Sequence, residues 1–258
     1  MVLQYYVIES ATGKHINIEV DAASKDDLEI TRSGWQTVWD TDFILDPQKE
    51  KYVAKTEEGE IVALGAYRVR EGSVAVYIAY IESQPESNPT LTRQKKYQGI
   101  GKAMIAFGIQ LSIDANCNGV VVFEAKTDEL EQHYIRDFGA RPVASLYPDG
   151  PKTFMIADQA AKDIFFFVSF LRKEEDHMKE YNKDFDIDFS PMSDETMSWL
   201  DELLITCKRF HVDYYNASEK DRAFVEAVAR KNYGLKQARN SGKPASTVAP
   251  FFGIHRAG

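Results

Sequence analysis

Apolar and polar positions change their spacing several times along this chain, and each change marks an expected element. Leu3–Glu9 and His15–Val20 are rich in aromatic and β-branched residues and are expected as strands. Ser24-Lys25-Asp26-Asp27 reads as a helix start, with Leu28, Ile30, Trp35, Val38 and Trp39 as the apolar positions of the helix that follows. The clearest strand signal comes next, in Tyr52–Thr56, Ile61–Arg70 and Ser73–Glu82. Glu58-Gly59 and Glu71-Gly72 separate them as tight turns, so an antiparallel meander of three strands is expected.

Ser83–Thr92, with Pro85 and Pro89, reads as a loop, and a good helical sequence runs from Lys102 to Ile113. Gly119–Ala125 is a continuous apolar run, the pattern of a strand buried on both faces. Asp128–Phe138 is expected as a helix ended by Gly139, followed by a hairpin of Arg141–Leu146 and Thr153–Ala157 around Pro148-Asp149-Gly150. After about residue 160 the spacing becomes helical throughout, over Ala160–Tyr181, Ser193–Phe210 and Ser218–Tyr233. Ser193 and Ser218 are expected N-caps and Gly234 a C-cap. Lys236–Gly258 is a polar tail, and no internal repeat is present. The expected division is therefore 1–158 and a helical extension over 159–258.

Composition narrows the function classes. The 258 residues are 44% hydrophobic and 12% aromatic, enough for a sizeable core. A net charge of -9 and a pI near 5.2 argue against nucleic-acid binding, which needs a basic face. The two cysteines, Cys117 and Cys207, have no metal-ligand spacing, and a reducing compartment suits them better than a disulfide framework. The five histidines are scattered, so no metal site is expected. Met1–Tyr6 reads as strand and not as a secretory leader, and the longest apolar block, Ile164–Leu171, is too short to cross a bilayer. A soluble cytoplasmic protein without membrane partners is expected; a virus-encoded protein made in a host cytosol would look the same.

Against this acidic background stands one compact basic run, Arg93-Gln94-Lys95-Lys96-Tyr97-Gln98-Gly99-Ile100-Gly101-Lys102-Ala103. Two close glycines opening a helix suit a phosphate cradle. Glycine lets the backbone turn tightly and lets an anion approach the N–H groups, whose free ends and helix dipole favour negative charge.

The order of elements around this run resembles the GNAT superfamily of acyl-CoA N-acyltransferases, over roughly residues 1 to 158. Lys96-Tyr97-Gln98-Gly99-Ile100-Gly101 fills that family's cofactor-loop pattern, with Lys at its first position in place of Gln or Arg. The resemblance implies an α/β fold, a mixed and mostly antiparallel sheet flanked by helices, with acetyl-CoA as co-substrate. It further implies that Lys96 and the amides of Gln98, Gly99, Ile100, Gly101, Lys102 and Ala103 hold the pyrophosphate. The family's base is often a carboxylate at the end of the strand before the loop, which points to Glu82, with Glu124 at the end of the buried strand as second candidate. Its acid is often a tyrosine four residues before the glycine of a Phe-Gly-like ending. Ile135 stands there, and Tyr134, one position earlier, is the candidate to protonate the thiolate.

Two readings follow. In one the chain transfers an acetyl group from acetyl-CoA to a primary amine of a small molecule or protein. In the other it keeps the fold without chemistry, as an interaction or structural protein in a larger assembly, for instance a viral one. The helices after residue 160 and the tail then offer a surface for self-association or an assembly partner.

Overall fold

In the computed structural model the described residues are 5–70, 73–144, 151–169, 194–212, 214 and 217–241, with the side chains of 166–169, 194–198 and 238–241 left aside. They fall into two compact units, one within 1–142 and 153–191, the other within 143–152 and 192–258.

The first unit is built on a sheet of β1 (Tyr5–Glu9), β2 (His15–Ala22), β3 (Glu50–Thr56), β4 (Ile61–Arg68), β5 (Val76–Ser83), β6 (Tyr97–Gln98), β7 (Val121–Ala125), β8 (Arg141–Val143) and β9 (Lys152–Ile156). The strands lie in the order β6-β1-β2-β3-β4-β5-β7-β9-β8. Pairing is antiparallel from β6 through to β5, and β5 pairs with β7 in parallel. This is the mixed, mostly antiparallel sheet flanked by helices that the resemblance implies. The β3–β4 turn forms where expected: Gly59 takes φ 85°, open to glycine at little cost, and Thr56 N–H bonds to the Glu60 carbonyl at 2.9 Å. The Glu71-Gly72 turn and the loop around Asp149 lie outside the described residues.

One face of the sheet is covered by α3 (Ile100–Asp114), which buries Met104, Ile105, Phe107 and Ile109 against Tyr67, Val76 and Ile78. The Tyr67 hydroxyl donates to the Met104 carbonyl at 2.8 Å. Helix and sheet meet closely at Gly65, where an added Cβ would sit 2.5 Å from the Tyr67 ring and 2.8 Å from the Met104 methyl. Gly65→Ala should therefore cost about 1–3 kcal/mol by overpacking, read as a lower denaturant midpoint; an unchanged midpoint would show that Tyr67 can yield. Helix α5 (Asp158–Ser169) packs on α3 and sends Ala161, Ile164 and Phe165 into the same core. Helix α4 (Asp128–Phe138) forms as expected, capped by Thr127, which accepts from Leu130 N–H, and closed by Gly139 at φ 63°.

The single helix expected from Ser24 to Trp39 is a correction. Only α1 (Lys25–Glu29) forms, with Ser24 and Asp27 capping each other's backbone N–H groups, followed by a 3-10 turn at Ile30–Arg32. Gly34 then takes φ 81° and leads into an irregular segment that ends near α2 (Asp42–Leu45). Helical spacing in the sequence could not show that Trp39 is needed as a buried side chain on the sheet.

The second unit is a pair of helices, α6 (Asp194–Phe210) and α7 (Glu219–Ser241), which bury Leu200, Leu203, Leu204, Cys207, Val225 and Ala229. Ser218 caps α7 by accepting from Asp221 N–H at 3.2 Å. Gly234 does not end α7, another correction: the helix runs on to Ser241. Contacts on both sides of the glycine, Tyr233 with Trp199 and Lys236 with Glu202, hold the helix through it. Cys117 and Cys207 are both buried and form no disulfide. No helix among the described residues is long and apolar enough to cross a membrane.

Candidate active site

Parallel pairing between β5 and β7 stops at Ile78–Phe123, while β5 runs on to Ser83 against β4 alone. A bulge causes the change of course. Pairing jumps from Tyr67–Ile78 to Ala66–Tyr80, which leaves Ala79 as the extra residue on β5. An extra residue bends a strand and resets which side chains face each side. Ile78 and Ile81 both face α3 as a result, while Ala79 and Tyr80 pack on the opposite face. Between the end of β5, the start of α3 and helix α4 lies a cleft of about 530 Å³, in the usual range of ligand sites.

The glycine run forms one wall. Its approach is pinned by β6, which pairs with β1 through Ile8–Gln98 and Glu9–Tyr97, and by Tyr97 N–H bonding to Ser87 Oγ at 2.9 Å. Gly99 is the N-cap of α3 at φ 83° and supplies no side-chain cap, so the first-turn amides have no side chain of their own helix turned onto them. A Cβ at Gly101 would meet nothing within 4 Å. Packing within the protein thus does not demand glycine there; the absent side chain leaves open space at the start of the helix, in the lining of the cleft.

Gln98, Gly99, Ile100, Gly101 and Lys102 all line the cleft. Burial pushes the Lys102 ammonium below its ordinary range, partly offset by Asp163. Lys96 and Ala103 sit differently. Lys96 Nζ bonds both carboxylate oxygens of Glu60, at 2.6 and 2.7 Å, which holds its pKa above the ordinary lysine value. The Tyr97 hydroxyl donates to the same carboxylate at 2.9 Å. Neighbouring Lys95, unlike Lys96, lines the cleft. Ala103 is fully buried, and its N–H already bonds to the Gly99 carbonyl at 2.9 Å.

Glu82 is buried and faces away from α3, because it alternates with the cleft-lining Ile81 and Ser83. Its Oε1 accepts from the N–H groups of Gln36 and Thr37, at 2.7 and 3.2 Å, and its Oε2 from the Trp39 indole N–H at 2.9 Å. The carboxylate thereby clamps the segment between α1 and α2 onto the sheet. The Thr37 hydroxyl shares a 2.8 Å hydrogen bond with the Tyr80 hydroxyl beside it. Glu124 is half-buried at the end of β7; Phe123 and Ala125 enter the core under α3, and strand alternation puts Glu124 on the other face.

Tyr134 lines the cleft with its ring edge-on to Phe123, 4.7 Å between centroids. Burial raises its phenol pKa above the ordinary value. The loop expected at Ser83–Thr92 is anchored: Pro85–Ser87 is a 3-10 turn, and Asn88 Nδ2 donates to Gln36 Oε1 at 3.1 Å.

Several lining residues were not singled out in the sequence. Lys95, Ser87, His133 and Asp137 all face the cleft. For the last two a signal existed, since a histidine and an aspartate four apart on a helix share one face. Lys95 and Ser87 are brought in by loop geometry, which spacing does not reveal.

No protein-family model matches the chain, and no curated protein matches it. Among solved structures the chain is similar to a GNAT-family acetyltransferase from Listeria monocytogenes 4b F2365, at 16% identity and a TM-score of 0.38 over 58% of this chain and 98% of that one. It is similar to a Bacillus subtilis acetyltransferase in complex with CoA, at 15% identity and a TM-score of 0.36 over 54% and 96% of the two chains. It is also similar to a Vibrio cholerae spermidine/spermine N-acetyltransferase in complex with manganese ions, at 11% identity and a TM-score of 0.38 over 54% and 91%. Likeness at these values concerns the general course of the chain and says nothing of its chemistry.

Proposed function

We propose that the cleft binds an acyl-CoA, with acetyl-CoA the simplest case, and that the protein transfers the acyl group to a primary amine of a small molecule or protein. The observation that carries this reading is the open space at Gly101, above a helix start with no side-chain cap and beside two cleft-lining lysines. A diphosphate suits that corner. The amides of Ile100, Gly101 and Lys102 would donate to its oxygens, the helix dipole favours its charge, and Lys95 and Lys102 neutralise it.

From that corner the cleft runs along β5 beyond the end of its pairing with β7. A pantetheine arm, which carries amide groups, can lie along such a strand edge as an added strand would. The thioester then comes to the part of the cleft walled by Tyr134, whose hydroxyl would donate a hydrogen bond to the sulfur. Glu82 serves this chemistry through the segment it clamps, Glu124 lies on the sheet face away from the cleft, and the protons shed by the amine pass to solvent.

The test is titration calorimetry of the full chain with acetyl-CoA, followed by a thiol-release assay with a panel of primary amines. Saturable binding and amine-dependent thiol release are expected. No heat at millimolar acetyl-CoA would overturn the acyl-CoA reading, and binding without release to any amine would favour a protein that keeps the fold without the chemistry.

A further inference from the structure

Helix α4 turns His133, Tyr134, Asp137 and Phe138 toward the cleft. His133 Nδ1 and Asp137 Oδ2 are 2.5 Å apart, one helical turn from each other. Asp137 is itself held by the Arg136 guanidinium, with Nε at 2.7 Å from one oxygen and the terminal nitrogen at 2.8 Å from the other. Those bonds, and then His133, keep the Asp137 carboxyl well below the usual carboxylate range. The imidazole therefore has a fixed anion on Nδ1, which leaves Nε2 as its reactive nitrogen. Its ring packs edge-on to Phe138 at 4.9 Å and lies 5.9 Å from the Tyr134 ring. Apart from these, the titratable groups lining the cleft are Lys95, Lys102 and Tyr97.

Protonating a departing thiolate is downhill only from an acid stronger than the thiol that forms. An ordinary thiol ionises near pKa ~8.5, an imidazolium near ~6.5 and a phenol near ~10. Burial raises Tyr134 further, so a proton moving from its phenol to a thiolate goes uphill. The two lysines face the proposed phosphates, and the Tyr97 hydroxyl is bonded to Glu60.

We infer that His133, oriented by Asp137, supplies the proton taken up by the departing thiolate; this rests on the acyl-CoA reading above. The amine nitrogen bonds to the thioester carbonyl carbon, and the C–S bond breaks with its electron pair staying on sulfur. The Nε2–H bond of the imidazolium breaks and an S–H bond forms. The neutral imidazole regains a proton from solvent, which also receives those shed by the amine. Tyr134 holds the sulfur by a hydrogen bond, and Asp137 is a positioning residue that acts through the imidazole.

The experiment follows the histidine ring resonances of the full-length protein on titration with CoA and with desulfo-CoA, which lacks the thiol; the His133 signal is assigned by its loss in His133→Gln. A shift produced by CoA and much reduced with desulfo-CoA is expected. In the thiol-release assay, His133→Gln should lower kcat on the order of a hundredfold with acetyl-CoA affinity unchanged. Tyr134→Phe and Asp137→Asn should lower it about tenfold, and added imidazole should restore part of the rate in His133→Gly. A ring signal indifferent to the sulfur, or a His133→Gln protein turning over at the parental rate, would overturn the inference. Failure of the parental protein to bind CoA at all would instead remove the acyl-CoA reading, and this one with it.

Discussion

Gly101→Glu is expected to weaken acyl-CoA binding on the order of a hundredfold or more while leaving the protein as stable as before, or slightly more so. Gly101 is the second residue of α3, and a Cβ there would meet nothing within 4 Å, so the substitution creates no clash. Replacing a helical glycine gains roughly 0.5–1 kcal/mol, and a carboxylate in the first turn of a helix gains about 0.3–1 kcal/mol more. The same carboxylate occupies the place of the proposed diphosphate and repels it. At about 4 Å two like charges near a protein surface cost roughly 4 kcal/mol, and their mutual screening by water and salt lowers that figure without reversing it. Calorimetry against acetyl-CoA and a thermal melt together test the prediction. Gly101→Ala, which adds bulk without charge, should bind far better than the glutamate variant. Normal binding by Gly101→Glu would mean that the run is an ordinary helix start.

The second large effect is on stability. Glu82→Ala should cost about 3 kcal/mol or more, because three donors, the amides of Gln36 and Thr37 and the buried Trp39 indole, lose their acceptor together. A buried donor left unpaired costs roughly 1–3 kcal/mol, and the sum is less than fully additive because the freed segment can swing out to water. For a unit of this size that is a fall in melting temperature of about 6–12 °C. Release of Trp39 should move its emission to the red, a change absent from a Trp39→Phe background. Glu82→Gln keeps one acceptor oxygen and should lose less stability. If Glu82→Gln lowered turnover a hundredfold with an unchanged melting temperature, Glu82 would be acting on the substrate and not as the clamp described here.

The behaviour of Glu82 shows where reading the chain as a string runs out. Its place at the end of a strand before the glycine run was legible, but which face it served depended on the bulge at Ala79, three residues earlier. A one-residue bulge leaves almost no mark in composition, yet it decides what every later side chain on the strand meets. Trp39 illustrates the same limit. Its spacing from Leu28 and Trp35 suits a helix, and only the distant partner at Glu82 holds the irregular backbone that the structure adopts.

Features whose causes are local were determined by the sequence alone. The β3–β4–β5 strands, the Gly59 turn, the Gly139 stop of α4, and the opening of α3 at the glycine run each follow from spacing and backbone preference within a few residues. The cleft was decided only by tertiary structure. It joins Lys95 and Gly101 to Ile81 on β5 and to His133 on α4, residues far apart in the chain. The same packing took Lys96 to Glu60 and left Lys95 facing the cleft. Charge and side-chain type could not separate those two lysines, because the difference lies in the course of the loop that leads into β6, which is held where β6 pairs with β1.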